Sequence, residues 1–428
     1  MKISSILGLN ARFQQFSYPF NPRRGKKIAD SKLQTKRVLK KAGIPVPKIY
    51  KKFKNPLQVF EFDWKSLPDS FALKPSKGLG GEGIVVIKKR SKMGAWWITT
   101  QRKKVTEEDL KLHTLDILEG AYSVGNVPDV AFIQEFVGRH KTFRRYAYRG
   151  TPDIRVIVFN KVPVMAMLRL PTRESGGRAN LHQGAVAVGI DIASGVTTTA
   201  VRNGQQIVYK PGTKRKLRGI KIPNWDTVLE MAISASEAIN LGYLGVDVVL
   251  HPERGPMILE LNAEPGLEIQ LANLSGLRKR LEKVEDLSVR DAEHGAKIAR
   301  ALFASPLIKS KKEKSAITVG IFEEVKIKSK KGSRLIQAKI DTAAARSSID
   351  KRVANELGLL NKENIILTRR FKSALGVQER PVIGVTFWLK GKKIKTAVGV
   401  ADRTTLKRPF LIGVRDLGGF LIEPRKNE

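Results

Sequence analysis

The sequence predicts an α+β chain that ends in a small all-β barrel. Three observations carry this. Residues 1–308 mix strand-length apolar runs with amphipathic helical stretches, without strict βαβ alternation. A polar, basic run at residues 309–315 interrupts the apolar patterning. Beyond it, short β-rich runs recur between turn residues, with one short helical stretch, as in a small barrel. The expected organisation is therefore residues 1–308, a basic linker at 309–315, and a barrel at 316–428.

The elements follow in order. Residues 31–42 read as a helix with Leu33, Val38 and Leu39 on one face and Gly43 as its stop. Pro45 and Pro47 then enforce an extended exit. Strand-like runs come at 71–74, 84–87, 130–134, 154–159, 164–168 and 244–250. A helix fits 225–241, where Val228, Leu229, Ala232, Ile233 and Ile239 share a side and Gly242 is the expected terminator. Residues 281–303 read as closing helices. In the last part, strands are expected at 317–321, 335–340, 382–388, 395–400 and 410–412, and a helix at 350–360.

The composition narrows the function. The 428 residues include 79 Lys and Arg against 40 Asp and Glu, a net charge of +39, and no cysteine. Disulfide frameworks, thiolate metal sites and cysteine nucleophiles are thereby excluded. A hydrophobic share of 42 % is that of a folded chain. No apolar run reaches the roughly 18 residues of a membrane span, and the N-terminal stretch is too short and too soon polar for a signal peptide, so a cytoplasmic location is expected. The basic excess is spread over both parts rather than gathered in an arm, and it calls for an anionic partner without naming one.

Residues 71–87 place four glycines, Gly78, Gly80, Gly81 and Gly83, between two strand-like runs, with Lys74 and Lys77 nearby. Amide groups bared by glycines cradle phosphate oxygens. The run lacks the Gly-Lys-Ser/Thr ending of a P-loop and is followed by a strand, not a helix. Its plainer alternative is a Gly-rich hairpin.

The most informative stretch sets single polar residues into apolar strands: Asp247 in Leu244-Gly-Val-Asp-Val-Val-Leu250, then Glu260 and Asn262 in Met257-Ile-Leu-Glu-Leu-Asn262. Glu260 and Asn262, two apart, point to one face of a strand. A few hard oxygen ligands suit Mg²⁺, with Mn²⁺ as an alternative, the remaining positions going to water and substrate phosphate. Between the two motifs lies an arginine series, Arg155, Arg169 and Arg178, the residue type that grips phosphate or carboxylate oxygens in pairs.

Together Gln134-Glu-Phe-Val137, Asp153-Ile-Arg155, Arg169, Arg178-Ala-Asn-Leu-His-Gln-Gly184, Gly245-Val-Asp247, Leu259-Glu-Leu-Asn262 and Pro265-Gly266 resemble the ATP-grasp ligases, within them the glutamate ligases that modify ribosomal protein S6. The N-terminal runs Ile6-Leu-Gly-Leu-Asn-Ala-Arg12, Asn21-Pro-Arg-Arg24, Asp30-Ser-Lys-Leu-Gln-Thr-Lys36 and Gly43-Ile-Pro-Val-Pro47 are similar to the alpha-L-glutamate ligase-related proteins. The resemblance covers about residues 1 to 285. It implies an ATP-grasp fold and an ATP-dependent, ADP-forming carboxylate–amine ligase working through an acyl phosphate. Lys74 and the Gly78, Gly80, Gly81, Gly83 loop would hold the nucleotide phosphates, and Gln134, Glu135, Phe136 and Val137 the adenosine. Asp247, Glu260 and Asn262 would hold Mg²⁺. Arg155, Arg169, Arg178 and Asn180 would face the γ-phosphate and the activated carboxylate.

Residues 338–350, Ala-Lys-Ile-Asp-Thr-Ala-Ala-Ala-Arg-Ser-Ser-Ile-Asp, with Pro409-Phe-Leu-Ile-Gly-Val-Arg415, resemble one lobe of a retropepsin-like aspartic protease, in the subgroup named ATP-dependent zinc proteases. Asp341 and Thr342 stand where the catalytic pair would be. Ala343 replaces the glycine of that motif, and one lobe supplies one carboxylate where the chemistry shares a proton between two, so activity implies a homodimer; the plainer alternative is a barrel used for dimerisation or for docking an acidic substrate. Zinc finds no support: His113, His140, His182, His251 and His294 show no H-E-x-x-H spacing, and none lies in this part.

Three functions thus compete: the ligase, a basic nucleic-acid or ribosome-binding protein, and a peptidase acting through the barrel. A further basic segment, Lys210, Lys214, Arg215, Lys216, Arg218 and Lys221, is expected to steer an acidic acceptor toward the ATP site.

Overall fold

The computed structural model describes residues 5–78, 81–91, 94, 96–304, 317–329, 332–373, 376–403 and 408–424. The chain divides into two compact units, Met1–Ala296 and Lys297–Glu428. The expected linker at 309–315 lies outside the described residues, as does Gly80.

The first unit holds two antiparallel sheets. In one, the strands β1 (Ile49–Phe53), β2 (Phe71–Pro75), β3 (Val85–Arg90), β4 (Trp97–Thr99), β5 (Lys104–Val105) and β6 (Ala131–Glu135) run in the order β1-β6-β2-β3-β4-β5. Its apolar face, with Phe53, Trp64, Phe71 and Trp97 fully or nearly fully buried, is closed in part by a helix at Glu107–Glu119. That helix is absent from the sequence expectations although its start is written there: Thr106 and Asp109 form a reciprocal capping box, and Gly120 ends it in the left-handed conformation.

The other sheet contains β7 (Asp153–Phe159), β8 (Val162–Leu170), β9 (Val186–Ile190), β10 (Thr197–Arg202), β11 (Gln205–Ile207), β12 (Tyr243–His251) and β13 (Gly255–Asn262), in the order β11-β10-β9-β8-β7-β12-β13. β7, β8 and β12 are buried on nearly every residue, which is why they read as continuous apolar runs. The helix Trp225–Ile239 packs over them with the expected face. It ends at Asn240, which takes the left-handed turn (φ 54°), not at Gly242, which instead leaves room for Phe20. The helix Lys32–Lys41 is capped by the Ser31 hydroxyl and stops at Gly43 (φ 73°).

In the second unit β14 (Ile317–Val319) pairs in parallel with a C-terminal strand at Phe420–Ile422. Six strands close a barrel: β15 (Phe322–Ser329), β16 (Gly332–Asp341), β17 (Ser348–Asp350), β19 (Gly376–Leu389), β20 (Lys392–Ala401) and β21 (Phe410–Gly413). Closure comes from the β15–β19 pairing, and β18 (Ile365–Ser373) extends from β19. Val325, Ile327, Phe387, Phe410 and Ile412 fill the interior. The expected small helix is Lys351–Glu356, capped by Asp350. No helix among the described residues is long and apolar enough to cross a membrane.

Candidate active site

Sheet register builds the site. Glu260 of β13 stands opposite Asp247 of β12, which stands opposite Arg155 of β7. Residues opposite one another on paired strands share a face, as do residues two apart on one strand. Asn262, Asp153 and, on β8 opposite Asp153, Arg169 therefore join the same face. A sequence without strand pairing offers no view of this row.

The side chains then interlock. Arg155 grips Asp247 with both arms of its guanidinium, Nε to Oδ1 at 2.7 Å and Nη2 to Oδ2 at 2.6 Å. Arg169 donates to Asp247 Oδ2 at 2.8 Å and to Asp153 Oδ1 at 2.5 Å, and Asn262 Nδ2 lies 3.3 Å from Asp247 Oδ2. Burial opposes the charge on Asp247, yet the two arginines hold its carboxyl below the ordinary range. Asp153 goes the other way: burial, reinforced by the charge of Asp247, raises it against the pull of Arg169. Burial likewise opposes the charge of Arg169, but the two aspartates keep it firmly protonated. Two buried acids and two buried bases thus neutralise one another; either pair alone would leave a charge stranded.

This face looks into a cavity of about 650 Å³, lined also by Lys74, Gly78, Gly81, Gln134, Glu135, Phe136, Val137, Arg178 and Asn180. Of the expected nucleotide, metal and catalytic residues that the structure describes in the first unit, Gly83 alone is not among those lining it. Gly83 (φ 66°) lies behind the wall: its carbonyl accepts from His113 Nε2 at 2.9 Å, and a Cβ there would lie 2.6 Å from the Tyr122 ring. The loop joins β2 to β3 as a hairpin, so the strand-to-strand reading of the glycines holds. Lys74, buried on β2, has its pKa lowered to about 8 by burial and the neighbouring Lys32 cation, against the favourable charge of Glu260. Glu135 accepts from the Lys48 amide and from Arg254, and the buried Gln134 Oε1 has no partner among the described residues.

Residues 11–286 match the family model described as sugar-transfer associated ATP-grasp. The chain belongs to this ATP-grasp family. A probable alpha-L-glutamate ligase of Sodalis glossinidius is 29 % identical over 136 residues, 32 % of this chain and 31 % of that protein. A probable alpha-L-glutamate ligase of Pseudomonas putida is 27 % identical over 163 residues, 36 % of this chain and 43 % of that one. The matched stretches thus span less than half of these relatives' length. Among solved structures, the ATP-grasp ligase PsnB complexed with minimal precursor is 18 % identical, covering 58 % of this chain and 56 % of that chain, with a TM-score of 0.29.

The ATP-grasp cavity contains groups the sequence reading passed over. Asp153 was visible only as a motif neighbour of Arg155. Lys32, at the start of its helix, pairs with Glu260 at 3.3 Å and donates to the Gly78 carbonyl at 2.6 Å. Its signal was the Asp30-Ser-Lys32 run just before an amphipathic helix. As a cation site, the donor chemistry fits Mg²⁺. Glu260 is partly exposed at the cavity, and Asn262, having turned its amide group to Asp247, keeps a carbonyl oxygen to offer. Among the described residues no three His, Asp or Glu gather into an all-protein cage.

Outside this cavity, Lys210, Lys214 and Arg215 line a second one with Arg144, Arg145 and Thr213, about 730 Å³ in volume and with no carboxylate among the described residues of its wall. Lys221 turns elsewhere, to the Ser194 carbonyl.

In the barrel, Asp341 ends β16, and its Oδ1 accepts from the amides of Ala343 at 2.9 Å and Ala344 at 3.1 Å. β16 runs parallel to β21, with Asp341 opposite Gly413. A Cβ on Gly413 would lie 2.5 Å from the Arg346 backbone. Neither Ala343 nor Ala344 takes a positive φ, so this turn does not require the glycine that the motif usually carries. Thr342 is exposed.

Proposed function

We propose that the first unit is an ATP-dependent, ADP-forming carboxylate–amine ligase. One observation carries the reading: a single cavity gathers a buried lysine, a glycine hairpin, an arginine–aspartate lattice and two oxygen donors suited to a hard cation. A protein that only binds nucleic acid through its basic surface has no use for that lattice.

The substrate carboxylate attacks the γ-phosphorus, the bond to ADP breaks, and an acyl phosphate results. An amine then attacks the acyl carbon and phosphate departs. Lys74 and Lys32 hold phosphate oxygens, with the hairpin amides around them. Gln134, Glu135 and the backbone of Phe136 and Val137 hold the adenosine. Glu260 and Asn262, with Asp247 behind them, would hold Mg²⁺, which neutralises charge on the transferring phosphoryl group. Arg155 and Arg169 are committed to Asp247 and Asp153, so they fix the carboxylate face. Arg178, whose Nη1 meets the Gln183 side chain at 3.4 Å, is the arginine that reaches the reacting oxygens, with Asn180 beside it. Positioning and charge neutralisation suffice, and no covalent enzyme nucleophile is used. The relatives' names make glutamate the first substrate to try, and the acid-free cationic cavity supports an acidic acceptor.

The test is incubation with Mg²⁺-ATP, candidate acids and amines, followed by measurement of ADP and product mass. Glu260→Ala should lower carboxylate-dependent ADP release at least about 100-fold; unchanged turnover would refute the metal assignment.

The barrel supports a second reading. The parallel register of Asp341 with Gly413 fits a retropepsin-like lobe, and peptidase activity would then require a homodimer that pairs two Asp341 carboxylates.

A further inference from the structure

An amine arriving at this cavity at neutral pH is an ammonium ion, with no lone pair to attack an acyl phosphate. Two cavity residues outside the roles assigned above are suited to that problem. His182 lies on the turn Leu181–Gln183, just after Arg178 and Asn180, and its Nε2 is 3.1 Å from Glu268 Oε1. The turn is fixed: Asn180 Oδ1 accepts from the His182 amide at 3.0 Å, and Gly184 closes it in the left-handed conformation. Glu268 has room to fold toward the histidine because residue 266 is glycine; a Cβ there would sit 2.4 Å from Glu268 Oε2. Gly266 lines the cavity with both.

We propose that His182, oriented by Glu268, is the base that deprotonates the amine substrate. The inference rests on the ligase reading. With Nε2–H directed to the Glu268 carboxylate, the imidazole lone pair is on Nδ1. His182 Nδ1 takes one proton from the ammonium. The freed amine forms the C–N bond as the C–O bond to phosphate breaks, and the second amine proton leaves with phosphate as HPO₄²⁻. The His182 side chain is 81 % exposed, so the imidazolium returns its proton to water. Glu268 touches no reacting atom and is a positioning residue that holds the ring by its Nε2–H.

Hydroxylamine separates this step from the rest, because it is neutral at pH 7 and needs no base before it traps an acyl phosphate as a hydroxamate. ADP release with the protein amino acids and dipeptides, each offering a carboxylate and an amine, first identifies the acid used. Amide and hydroxamate formation from that acid are then compared at pH 7 in the wild type and in His182→Gln. The expected result is a fall of about 100-fold in the amide-to-hydroxamate ratio. Glu268→Gln should lower the same ratio less, through kcat and not the KM for the amine. An unchanged ratio in His182→Gln, or equal loss of both products, overturns the assignment while leaving the ligase reading in place. A wild-type protein that releases no ADP with any of these acids counts against the ligase reading itself, and against this assignment with it.

Discussion

Asp247 and Asp341 look alike in the sequence, each a single carboxylate in an apolar strand, yet their surroundings are opposites. Asp247 is 2 % exposed and held by arginines 92 and 78 residues away. Asp341 is only partly buried, and the amides on its Oδ1 come from residues two and three positions on. The first carboxylate exists as an ion only because the fold delivers guanidinium groups to it. The second is set by its own turn and would keep its geometry with little help from the rest of the chain. Long-range pairing ties Asp247 to the order of the strands around it. Local pairing ties Asp341 to its own turn and to little else.

The contrast breaks most readily at Asp247. Asp247→Asn keeps the shape but strands the Arg155 guanidinium in the interior and leaves Arg169 with Asp153 alone. We expect about 3–5 kcal/mol of lost stability, read by chemical denaturation, together with loss of ADP release. A near-neutral effect would mean that water, not Asp247, carries the arginines' charge.

Much of this was legible and much was not, for a physical reason. Spacing within a strand exposed Glu260 and Asn262, because a period of two is a local property. The apolar runs around Asp247 announced a buried acid. Which arginine would meet it depended on the order β8-β7-β12-β13, and strand order is invisible to local pattern. Lys32 and the His182–Glu268 pair were missed for the same reason: each partner lies in a distant segment. The helix Glu107–Glu119 is a different case, since its capping box was on the page and its weak apolar face hid it.

Lys36 sharpens the comparison from within the first unit. It sits on the same helix as Lys32, is 3 % exposed, and its Nζ has no hydrogen-bond partner among the described residues. Burial and the neighbouring Lys74 lower its pKa to about 7. The unfolded chain keeps this proton up to about pH 10.5, so between about 7 and 10.5 unfolding takes up a proton. Stability therefore rises with pH across that window, and the cost of the buried charge is fully present below pH 7. Lys36→Met should raise stability below pH 7 by on the order of 2 kcal/mol. The gain over wild type should shrink as the pH approaches 10. A gain independent of pH would show that packing, not charge, is responsible.

The smallest effect belongs to Asp341, and its smallness is the point. Asparagine retains the Oδ1 that accepts from Ala343 and Ala344, so the turn keeps both hydrogen bonds. What is lost is one negative charge on a partly exposed residue, whose clearest electrostatic neighbour is Arg403. Arg403 has other anchors: its amide donates to Asp350 Oδ2 at 2.8 Å and its Nη1 to Ser348 at 3.0 Å. Asp341→Asn should therefore shift the unfolding free energy by no more than about 0.5 kcal/mol, while abolishing any peptide cleavage the wild type shows. A cost of several kcal/mol would place Asp341 beside Asp247 as a charge the fold depends on, and the division between locally and remotely held carboxylates would not stand.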